Sequence, residues 1–331
     1  MKPSNKLSII IVSWNARDYL IKCLESLAQG LLGVPAEVIV VDNFSSDGSA
    51  DAVEKFSPKV NLVRNDQNYG FAKANNMGIK LSSGEYLCLL NSDVIVGKNC
   101  FSQLLTCMDS NPNIGMLGPR TLNADGTLQR SCFTLPTVWN SFCRVFALDA
   151  AFPNIKMFGT RLMTYFPHNE MRAVEALNGC FLLIRRKALN EVGLLDEGFF
   201  IYGEDLDWCK RFGDSGWEVV YYPLVEAVHY GGASSSNAPI RFFLEMQRAD
   251  LRYWRKHKGL KGEMLYYLML LLHHTLRILG YAPLSIIRHR LRTVRSYKLR
   301  RSVESLRWLV TRYLFEKRSK MNEEEACHLT S

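Results

Sequence analysis

Short apolar runs alternate with stretches of helical periodicity along the first part of the chain. The apolar runs predict strands, at residues 7–12, 37–41, 60–64 and 85–90. The stretches between them keep one apolar face and predict helices, around residues 20–28 and at 49–56 and 70–81. Because strands that are joined by helices pair in parallel, the pattern predicts an α/β fold with a mostly parallel, Rossmann-like sheet.

After Asp93 the pattern is less regular. Further elements are predicted as strands at 114–118, 173–185 and 217–222 and as a helix at 204–212. The strand at 173–185 is interrupted at Asn178-Gly179. Residues 136–172 are rich in aromatic side chains and have no periodicity, so we interpret them as a mobile substrate loop.

Carboxylates follow two of the predicted strands. Asp42 ends one apolar run, and Asp93 comes shortly after another. Because ligands of an open α/β sheet bind beyond the carboxyl ends of its strands, we expect Asp42 and Asp93 to share one cleft. A further acidic pair, Glu204-Asp205, begins a predicted helix.

The charge is unevenly distributed along a chain of 331 residues, 47% of them apolar. This length and composition exclude a disordered or fibrous protein. Residues 1–240 hold 21 Lys and Arg against 24 Asp and Glu, whereas residues 241–320 hold 20 against 5. We therefore divide the chain into a catalytic domain, 1–240, and a basic helical region, 241–331, whose expected partner is anionic lipid or nucleic acid.

Within the basic region, an apolar run at 264–272 lies between the basic stretches 252–261 and 288–301. The run is shorter than the roughly 20 apolar residues that a membrane-spanning helix needs. We expect an amphipathic helix at the surface of an anionic membrane, and the interleaved Leu and Tyr disfavour nucleic acid. The alternative is a helical lid whose apolar face packs on the first domain.

The cysteines and the N-terminus both favour the cytoplasm. Nine cysteines without a CxxC pair are typical of buried thiols in a reducing compartment, not of a disulfide framework or a zinc site. The apolar segment near the N-terminus is too short for a secretory signal.

Several short motifs occur in a fixed order. They are VSWN at 12–15, VDN at 41–43, SSDGS at 45–49, NMG at 76–78, NSD at 91–93, GED at 203–205 and HYGGAS at 229–234. Together they resemble glycosyltransferase family 2, the inverting sugar transferases with the A-type glycosyltransferase fold, over roughly residues 7–235. Within that family, NYGFA at 68–72 and GPR at 118–120 with DGTLQ at 125–129 are most similar to bacterial rhamnosyltransferases of surface-polysaccharide assembly.

The resemblance implies a nucleotide-sugar donor, held by Ser13, Asn15, Asp42, Asn75, Asn91, Ser92 and Asp93. Negative charge grows on the diphosphate as the glycosidic bond breaks, so Mg²⁺ or Mn²⁺ is expected as a Lewis acid, held by Asp93 and His229. Asn91 replaces the first acid of the family's usual Asp-x-Asp, which leaves Asp93 as the one acidic ligand. Asn75 stands where a basic residue is common, and Lys73 or Arg120 are alternatives for that charge.

The resemblance also implies the catalytic groups. Asp205 would be the base that takes the proton of the acceptor hydroxyl, with Glu204 orienting it. The acceptor and sugar pocket would be lined by Asn178, Gly179 and Trp208.

Three of these assignments have structural alternatives. His229 could be a packed histidine, and Asp42 could close a strand-end turn. The pair Glu204-Asp205 could complement the dipole of a helix N-terminus.

These observations predict a peripheral enzyme on the cytoplasmic face of the inner membrane. It would move a sugar, L-rhamnose from dTDP-L-rhamnose, to a lipid-linked saccharide with a divalent cation. Alternatives are a transferase that uses a UDP-hexose or galactofuranose donor, a nucleotidyltransferase, and a membrane- or nucleic-acid-binding scaffold.

Overall fold

The computed structural model describes residues 6–56, 60–232, 238–287, 292–313 and 315. These residues form two compact units. We call the unit drawn from Met1–Leu135 and Pro153–Asn237 the sheet unit, and the unit drawn from Pro136–Phe152 and Ala238–Ser331 the helical unit.

The strands belong to the sheet unit. They are β1 (Leu7–Ser13), β2 (Ala36–Asp42), β3 (Val60–Arg64), β4 (Tyr86–Asn91), β5 (Val94–Val96), β6 (Ile114–Leu122), β7 (Leu128–Gln129), β8 (Cys132–Phe133), β9 (Arg172–Ala173), β10 (Ala176–Leu177), β11 (Phe181–Arg185) and β12 (Glu218–His229). The main sheet has the order β3-β2-β1-β4-β11-β6-β12-β5, with β7 on β6 and β9 on β12, and β8 pairs with β10 separately. The first four strands in this order are parallel, as predicted, whereas β11 is antiparallel to both of its neighbours.

Helices cover the sheet and form the second unit. They are α1 (Arg17–Gly30), α2 (Ser49–Phe56), α3 (Phe71–Leu81), α4 (Cys100–Ser110), α5 (Val138–Val145), α6 (Leu148–Ala151), α7 (Arg186–Val192), α8 (Glu204–Asp214), α9 (Pro239–Ile287) and α10 (Arg292–Arg307), followed by a π-helix, Trp308–Tyr313.

The core of the sheet unit explains why β1 is continuously apolar. Ile9 and Ile11 join a buried cluster with Leu24 of α1. On the other face, Gly78 of α3 lies so close that an added Cβ would approach the Ile10 side chain to 2.5 Å. Because helices cover both faces, β1 is buried on both sides, as parallel strands usually are.

Residues 138–151 correct one prediction. We expected an irregular loop, but this segment forms α5 and α6 of the helical unit. Thr137 and Asn140 form a capping box, in which the Thr137 side chain accepts from the Asn140 amide at 3.1 Å and Asn140 Oδ1 accepts from the Thr137 amide at 2.9 Å. The spacing Thr-x-x-Asn is a variant of the capping signature, and this helix start was missed in the sequence.

The long helix α9 is a hairpin of two helical segments. Gly259 interrupts it with φ 66° and ψ −171°. The Trp254 ring stacks on Tyr266 at 5.1 Å, and the Tyr266 hydroxyl donates to Asp250 Oδ2 at 2.9 Å. Within the described part of the chain, no helix is both long and apolar enough to cross a membrane.

The eight cysteines that the structure describes are buried and carry free thiols, and Cys327 lies outside the described residues. Burial raises the pKa of several of these thiols, for example that of Cys100 to about 12. The thiols with a raised pKa are therefore unreactive, and the burial of these cysteines is as the sequence predicts.

Candidate functional site

The carboxyl ends of β2, β1 and β4 form one edge of the sheet. The strand register pairs Ser13 with Asp42 and Val12 with Asn91. Since neighbouring strands lie about 4.8 Å apart, the Asp42, Ser13 and Asn91 positions are adjacent along this edge. Ser92 and Asp93 follow directly, and both are buried.

Three buried oxygens at this edge have no hydrogen-bond partner among the described residues. They are Ser13 Oγ, Asp42 Oδ1 and Asn91 Oδ1. A buried polar atom without a partner typically costs about 1–3 kcal/mol, so three together favour a site that is completed by a polar ligand.

The contacts of Asp42 fit both a strand-end turn and a ligand-binding residue. Its Oδ2 accepts from the Ser45 amide at 3.1 Å, which closes the expected turn at the strand end. Its Oδ1 is the buried oxygen without a partner, and it remains available to a ligand.

Asn15 joins the two loops beside this edge. Its side-chain Oδ1 accepts from the Ser46 backbone amide at 2.8 Å, and its backbone amide donates to Ser45 Oγ at 3.0 Å. Its φ of 50° is in the left-handed region, where Asn is tolerated. Asn15 was expected near the donor, and the structure shows that it shapes the loops at the strand ends.

Asn75 lies on α3 and is 1% exposed. Its side-chain amide donates to Phe71 O at 2.9 Å, within its own helix. Of the alternative basic residues, Lys73 Nζ lies over the Tyr69 ring at 4.2 Å, and Arg120 Nε is 3.5 Å from Glu226 Oε1. The role of Asn75 in binding the sugar donor stays a prediction.

The segment NYGFA at 68–72 has a structural role that the sequence did not indicate. Asn43 Oδ1 accepts from the Tyr69 amide at 3.0 Å, and Asn43 Nδ2 donates to Gly70 O at 3.2 Å. Gly70 has φ 81°, and an added Cβ would meet Phe200 O at 2.4 Å. The loop that precedes the Gly203-Glu204-Asp205 segment is therefore held against the loop that follows β3.

Asp93 and His229 form a close pair. His229 Nε2 is 3.2 Å from Asp93 Oδ1, because Val94 of β5 pairs with His229 of β12. Burial alone lowers the pKa of His229, but the hydrogen bonds to Asp93 and Cys180 raise it to about 10. Without a cation, the site therefore holds a protonated imidazole beside the Asp93 carboxylate.

This pair fits a divalent cation. The Asp93 carboxylate offers oxygen and His229 offers an imidazole nitrogen, which together suit Mn²⁺, while Mg²⁺ prefers oxygen. Among the described residues there is no cluster of three His, Cys, Asp or Glu side chains that could hold a metal. The remaining ligands of a bound cation would have to be phosphate oxygens and water.

Glu204 and Asp205 begin α8 at a left-handed residue, Gly203. Asp205 Oδ2 accepts from the Gly179 amide at 3.0 Å, and Oδ1 accepts from the Leu206 amide at 2.8 Å. Burial raises the pKa of Asp205, although these amides oppose the shift. Burial and the Asp205 charge raise the pKa of Glu204 well above its usual range, and Glu204 Oε2 has no hydrogen-bond partner in the described structure.

The residues before β11 bring Asp205 to the same edge. The Asn91 amide donates to Cys180 O at 2.9 Å, and the Cys180 amide donates to Asn178 Oδ1 at 2.9 Å. An added Cβ at Gly179 would lie 3.3 Å from the Asp205 Cβ, so glycine allows this close approach. Asn178 and Gly179 therefore lie between the strand end and the candidate base.

Trp208 was expected in the acceptor pocket, but it is a core residue. Its side chain is fully buried, its indole N–H donates to Gly193 O at 2.9 Å, and its ring packs edge-on against Phe212. We therefore do not retain Trp208 in the candidate site.

Sequence reasoning missed three residues around the site. Gln129 contacts His229, Cys180 lies beside His229, and the positive charge of Arg161 opposes the rise in the pKa of Asp205 that burial causes. Gln129 belongs to the DGTLQ run, which was a usable signal. Arg161 lies in the aperiodic stretch 136–172, where no sequence signal indicated it.

Comparisons with known proteins identify the family of the chain. The model of the family described as Glycosyl transferase family 2 matches residues 8–193. The N-acetylglucosaminyl-diphospho-decaprenol L-rhamnosyltransferase of Mycobacterium tuberculosis is 29% identical over 244 residues, which are 70% of this chain and 78% of that protein. The dTDP-rhamnosyl transferase RfbF of Shigella flexneri is 25% identical over 290 residues, 83% of this chain and 89% of that protein.

Among solved structures, the mannosyltransferase PcManGT of Pyrobaculum calidifontis in complex with GDP-Man and Mn²⁺ superimposes with a TM-score of 0.55. It is 16% identical and covers 92% of this chain and 88% of that chain. At this identity the likeness establishes the A-type fold alone.

Proposed function

Since the chain belongs to glycosyl transferase family 2 and is a nucleotide-sugar glycosyltransferase, we propose that it transfers L-rhamnose from dTDP-L-rhamnose to a lipid-linked saccharide, with inversion and with a divalent cation. The observation that carries this proposal is the single edge of the sheet where buried oxygens without partners lie beside the Asp93–His229 pair and Asp205.

The nucleotide would bind at the ends of β1 and β2. Asp42 Oδ1 and Ser13 Oγ are buried acceptors that hydroxyl or N–H groups of a nucleoside would satisfy. Asn91 Oδ1 would accept from a ribose hydroxyl. Asn15 would act through the loop that it holds.

Asp93 and His229 would hold Mg²⁺ or Mn²⁺. When bound, the cation would stabilise the negative charge that develops on the diphosphate leaving group. A cation there would take the place of the His229 ring proton beside Asp93.

Asp205 would act as the general base. A hydroxyl of the acceptor attacks the anomeric carbon, its proton passes to Asp205, and the bond from that carbon to the diphosphate oxygen breaks with inversion. The Gly179 and Leu206 amides hold the Asp205 carboxylate, and burial together with the Asp205 charge raises the pKa of the neighbouring Glu204 well above its usual range, which favours its protonated form. Two adjacent acids in different protonation states are typical of sites where one serves as the base.

The names of the relatives support a rhamnosyl donor and a lipid-linked acceptor. A UDP-hexose or galactofuranose donor is the alternative within this fold. A panel of nucleotide sugars, with release of the nucleoside diphosphate as the readout, tests the choice. Release from another donor alone would exclude dTDP-L-rhamnose, and release of pyrophosphate would indicate a nucleotidyltransferase.

We also propose that the helical unit binds the surface of an anionic membrane, on the cytoplasmic face of the inner membrane. Seven apolar side chains of α9 are between 37% and 65% exposed, and besides Leu265 they are Leu260, Met264, Leu268, Leu272, Leu276 and Leu279. The spacing of these last six puts them on one face, which we call the apolar stripe and which is roughly 28 Å long at 1.5 Å per residue.

The charges around the apolar stripe favour anionic lipid as its partner. Arg252, Lys256, Lys258 and Lys261 are exposed at the hairpin end. Glu263, the one acidic residue from 252 to 282, is buried and pairs with Arg255 at 3.2 Å. An apolar face flanked by cations is typical of helices that insert into the interface of an anionic bilayer. Self-association of the stripe is the competing outcome, and it would appear as a dimer in the absence of lipid.

A further inference from the structure

The turn between β6 and β7 contains a chain of side-chain hydrogen bonds that ends at His229. Thr121 pairs with Gln129 and Leu122 with Leu128, so the DGTLQ run folds back on β6. Gln129 Oε1 is 2.6 Å from His229 Nδ1. Gln129 Nε2 lies 2.9 Å from Asn123 Oδ1 and 3.2 Å from His229 O.

The hydrogen-bond chain continues to the tip of the turn. Asn123 Nδ2 donates to Thr127 Oγ1 at 2.9 Å, and Thr127 Oγ1 donates to Asp125 Oδ1 at 2.6 Å. Hydrogen bonds from Thr127 lower the pKa of Asp125, so this carboxylate remains an acceptor near neutral pH.

The ionised carboxylate of Asp125 fixes the donor and the acceptor of every hydrogen bond in this series. Because Asp125 only accepts, the Thr127 hydroxyl must donate to it and must accept from Asn123 Nδ2. The Asn123 oxygen then faces Gln129, which must present its amino group there. The Gln129 oxygen is left to face His229, and it requires a proton on Nδ1.

The reverse direction is excluded by two contacts. If the Gln129 and Asn123 amides were both flipped, Gln129 Oε1 would face the carbonyl oxygen of His229. The Thr127 hydroxyl would then donate to Asn123, which would leave its oxygen 2.6 Å from Asp125 Oδ1 with no hydrogen between them. Neither pair of oxygens is tolerated at these distances.

We propose that the turn 123–129 sets the tautomer of His229, and that Gln129 is a positioning residue which presents His229 Nε2 to the cation beside Asp93. This inference rests on the proposed function in that it assumes a cation at Asp93. A hydrogen bond from a metal-bound histidine to a second residue fixes the ring and strengthens binding by about 10–100-fold. The DGTLQ run thereby acquires a chemical role.

Thr127→Val and Thr127→Ser are a matched pair of substitutions at the exposed end of the hydrogen-bond chain. Valine keeps the shape of threonine but removes the hydroxyl, so Asn123 loses the contact that fixes its side-chain amide, and Gln129 is oriented only by its contact with the His229 carbonyl oxygen. Serine keeps the hydroxyl. Both changes lie on the turn, away from Asp93, and Gln129→Leu removes the contact with His229 directly.

The first measurement is proton–nitrogen NMR of the full chain labelled in its seven histidines, with His229→Gln to assign the ring. In the metal-free protein, the Nδ1 proton of His229 should exchange slowly with solvent in wild type and Thr127→Ser, and faster in Thr127→Val. With Mg²⁺ and dTDP, Nδ1 should keep its proton and Nε2 should carry none. A proton on Nε2 in that state, or an unprotected Nδ1 in metal-free wild type, would overturn the proposal.

The second measurement is the affinity for Mn²⁺ in the presence of dTDP, by electron paramagnetic resonance. Gln129→Leu should weaken it by about 10-fold or more and Thr127→Val by a few-fold, with Thr127→Ser unchanged. Equal affinities for Thr127→Val and Thr127→Ser would refute the role of the turn. If wild type binds no Mn²⁺, the cation of the proposed function is wrong, whereas the metal-free NMR comparison still decides whether the turn controls the ring.

Discussion

Two buried histidines show how differently the two units treat charge. In the sheet unit, His229 lies beside the Asp93 carboxylate and has its pKa raised to about 10. In the helical unit, burial, His273 and the nearby Arg301 and Arg144 lower the pKa of His274 to about 3. His229 is therefore protonated at neutral pH, while His274 remains neutral in a basic environment.

This contrast separates the proposed chemistry of the sheet unit from the proposed membrane contact of the helical unit. At its strand ends the sheet unit has carboxylates and buried oxygens that lack a partner in the described part of the chain, an arrangement that suits a cation and a phosphorylated donor. The helical unit collects cations around an apolar stripe, an arrangement that suits an anionic surface. Each prediction below tests one side of this difference.

Asp205→Asn is expected to have the largest effect. The amide keeps the size of the side chain but cannot take the acceptor proton, so transfer should fall by about 10³-fold or more. Affinity for dTDP with metal should survive, because Asp42 and Asp93 are proposed to hold the nucleotide and the cation. Transfer rate and calorimetric dTDP affinity are measured together.

Glu204→Gln is the matched control. Because Glu204 is proposed to be protonated already, the amide mimics its neutral form, and the loss should stay within about tenfold. A reversed order, with Glu204→Gln the more damaging, would make Glu204 the base. A collapse of dTDP affinity in Asp205→Asn would move Asp205 into the donor site.

Asp93→Ala should lower metal-dependent turnover by at least about 100-fold, since the cation stabilises the diphosphate by several kcal/mol. Circular dichroism should show an unchanged fold. His229→Ala should be milder, because the cation keeps Asp93 and the phosphate oxygens. Unchanged turnover in Asp93→Ala would exclude it from the mechanism, and an equal loss of His229→Ala activity with every metal would indicate a structural histidine.

The apolar stripe is tested by Leu268→Ser with Leu272→Ser. The control is Leu81→Ser with Leu224→Ser, two leucines of the sheet unit that are more exposed than Leu268 and Leu272. Burial of a leucine contributes about 1.5 kcal/mol or more, so the stripe variant should bind anionic vesicles at least about tenfold more weakly. High salt should weaken wild-type binding only partly, because an inserted apolar face is not screened. If the stripe variant and the control variant sediment equally with vesicles, the apolar stripe is not the membrane-binding surface.

The fold was largely predictable where periodicity is local. The bounds of β3 and α2 match the predicted ranges residue for residue, because each apolar run ends at a clear turn signal. Helices α4 and α5 were missed. The Asn15 carboxamide accepts from the Ser46 amide and does not cap α1, and Asp47 accepts from the Arg17 amide at the start of that helix.

The candidate site was predictable in its acids but not in the residues that support them. Strand ends and motif order indicated Asp42, Asp93 and Asp205, since these depend on local sequence. The contact of Gln129 with His229 joins positions 100 residues apart. Such a contact depends on the order of β6, β7 and β12 in the sheet, and no local pattern reports that order.

The last expected effect concerns the acid stability of the helical unit. The folded-state pKa of His274 lies near 3, below its unfolded value of about 6.5, so the unfolded chain binds more protons between these values. Stability is therefore complete above about pH 6.5 and is lost as the pH falls below it, by at most about 1.4 kcal/mol per pH unit. His274 Nε2 lies 3.1 Å from Gln247 Oε1, and the amide of His274→Gln can donate there without titrating.

Hydrogen exchange of peptides from 260–282, corrected for the intrinsic rate at each pH, measures this stability. Between pH 7.5 and 5.0, wild type should lose about 2 kcal/mol more than His274→Gln, which is the share of one histidine across that interval. His273 has a pKa lowered to about 4 by burial and by Arg277 and Arg144, so some acid sensitivity should remain in the variant. Identical pH dependence in both proteins would mean that His274 is not held neutral, and the contrast with His229 would then rest on Asp93 alone.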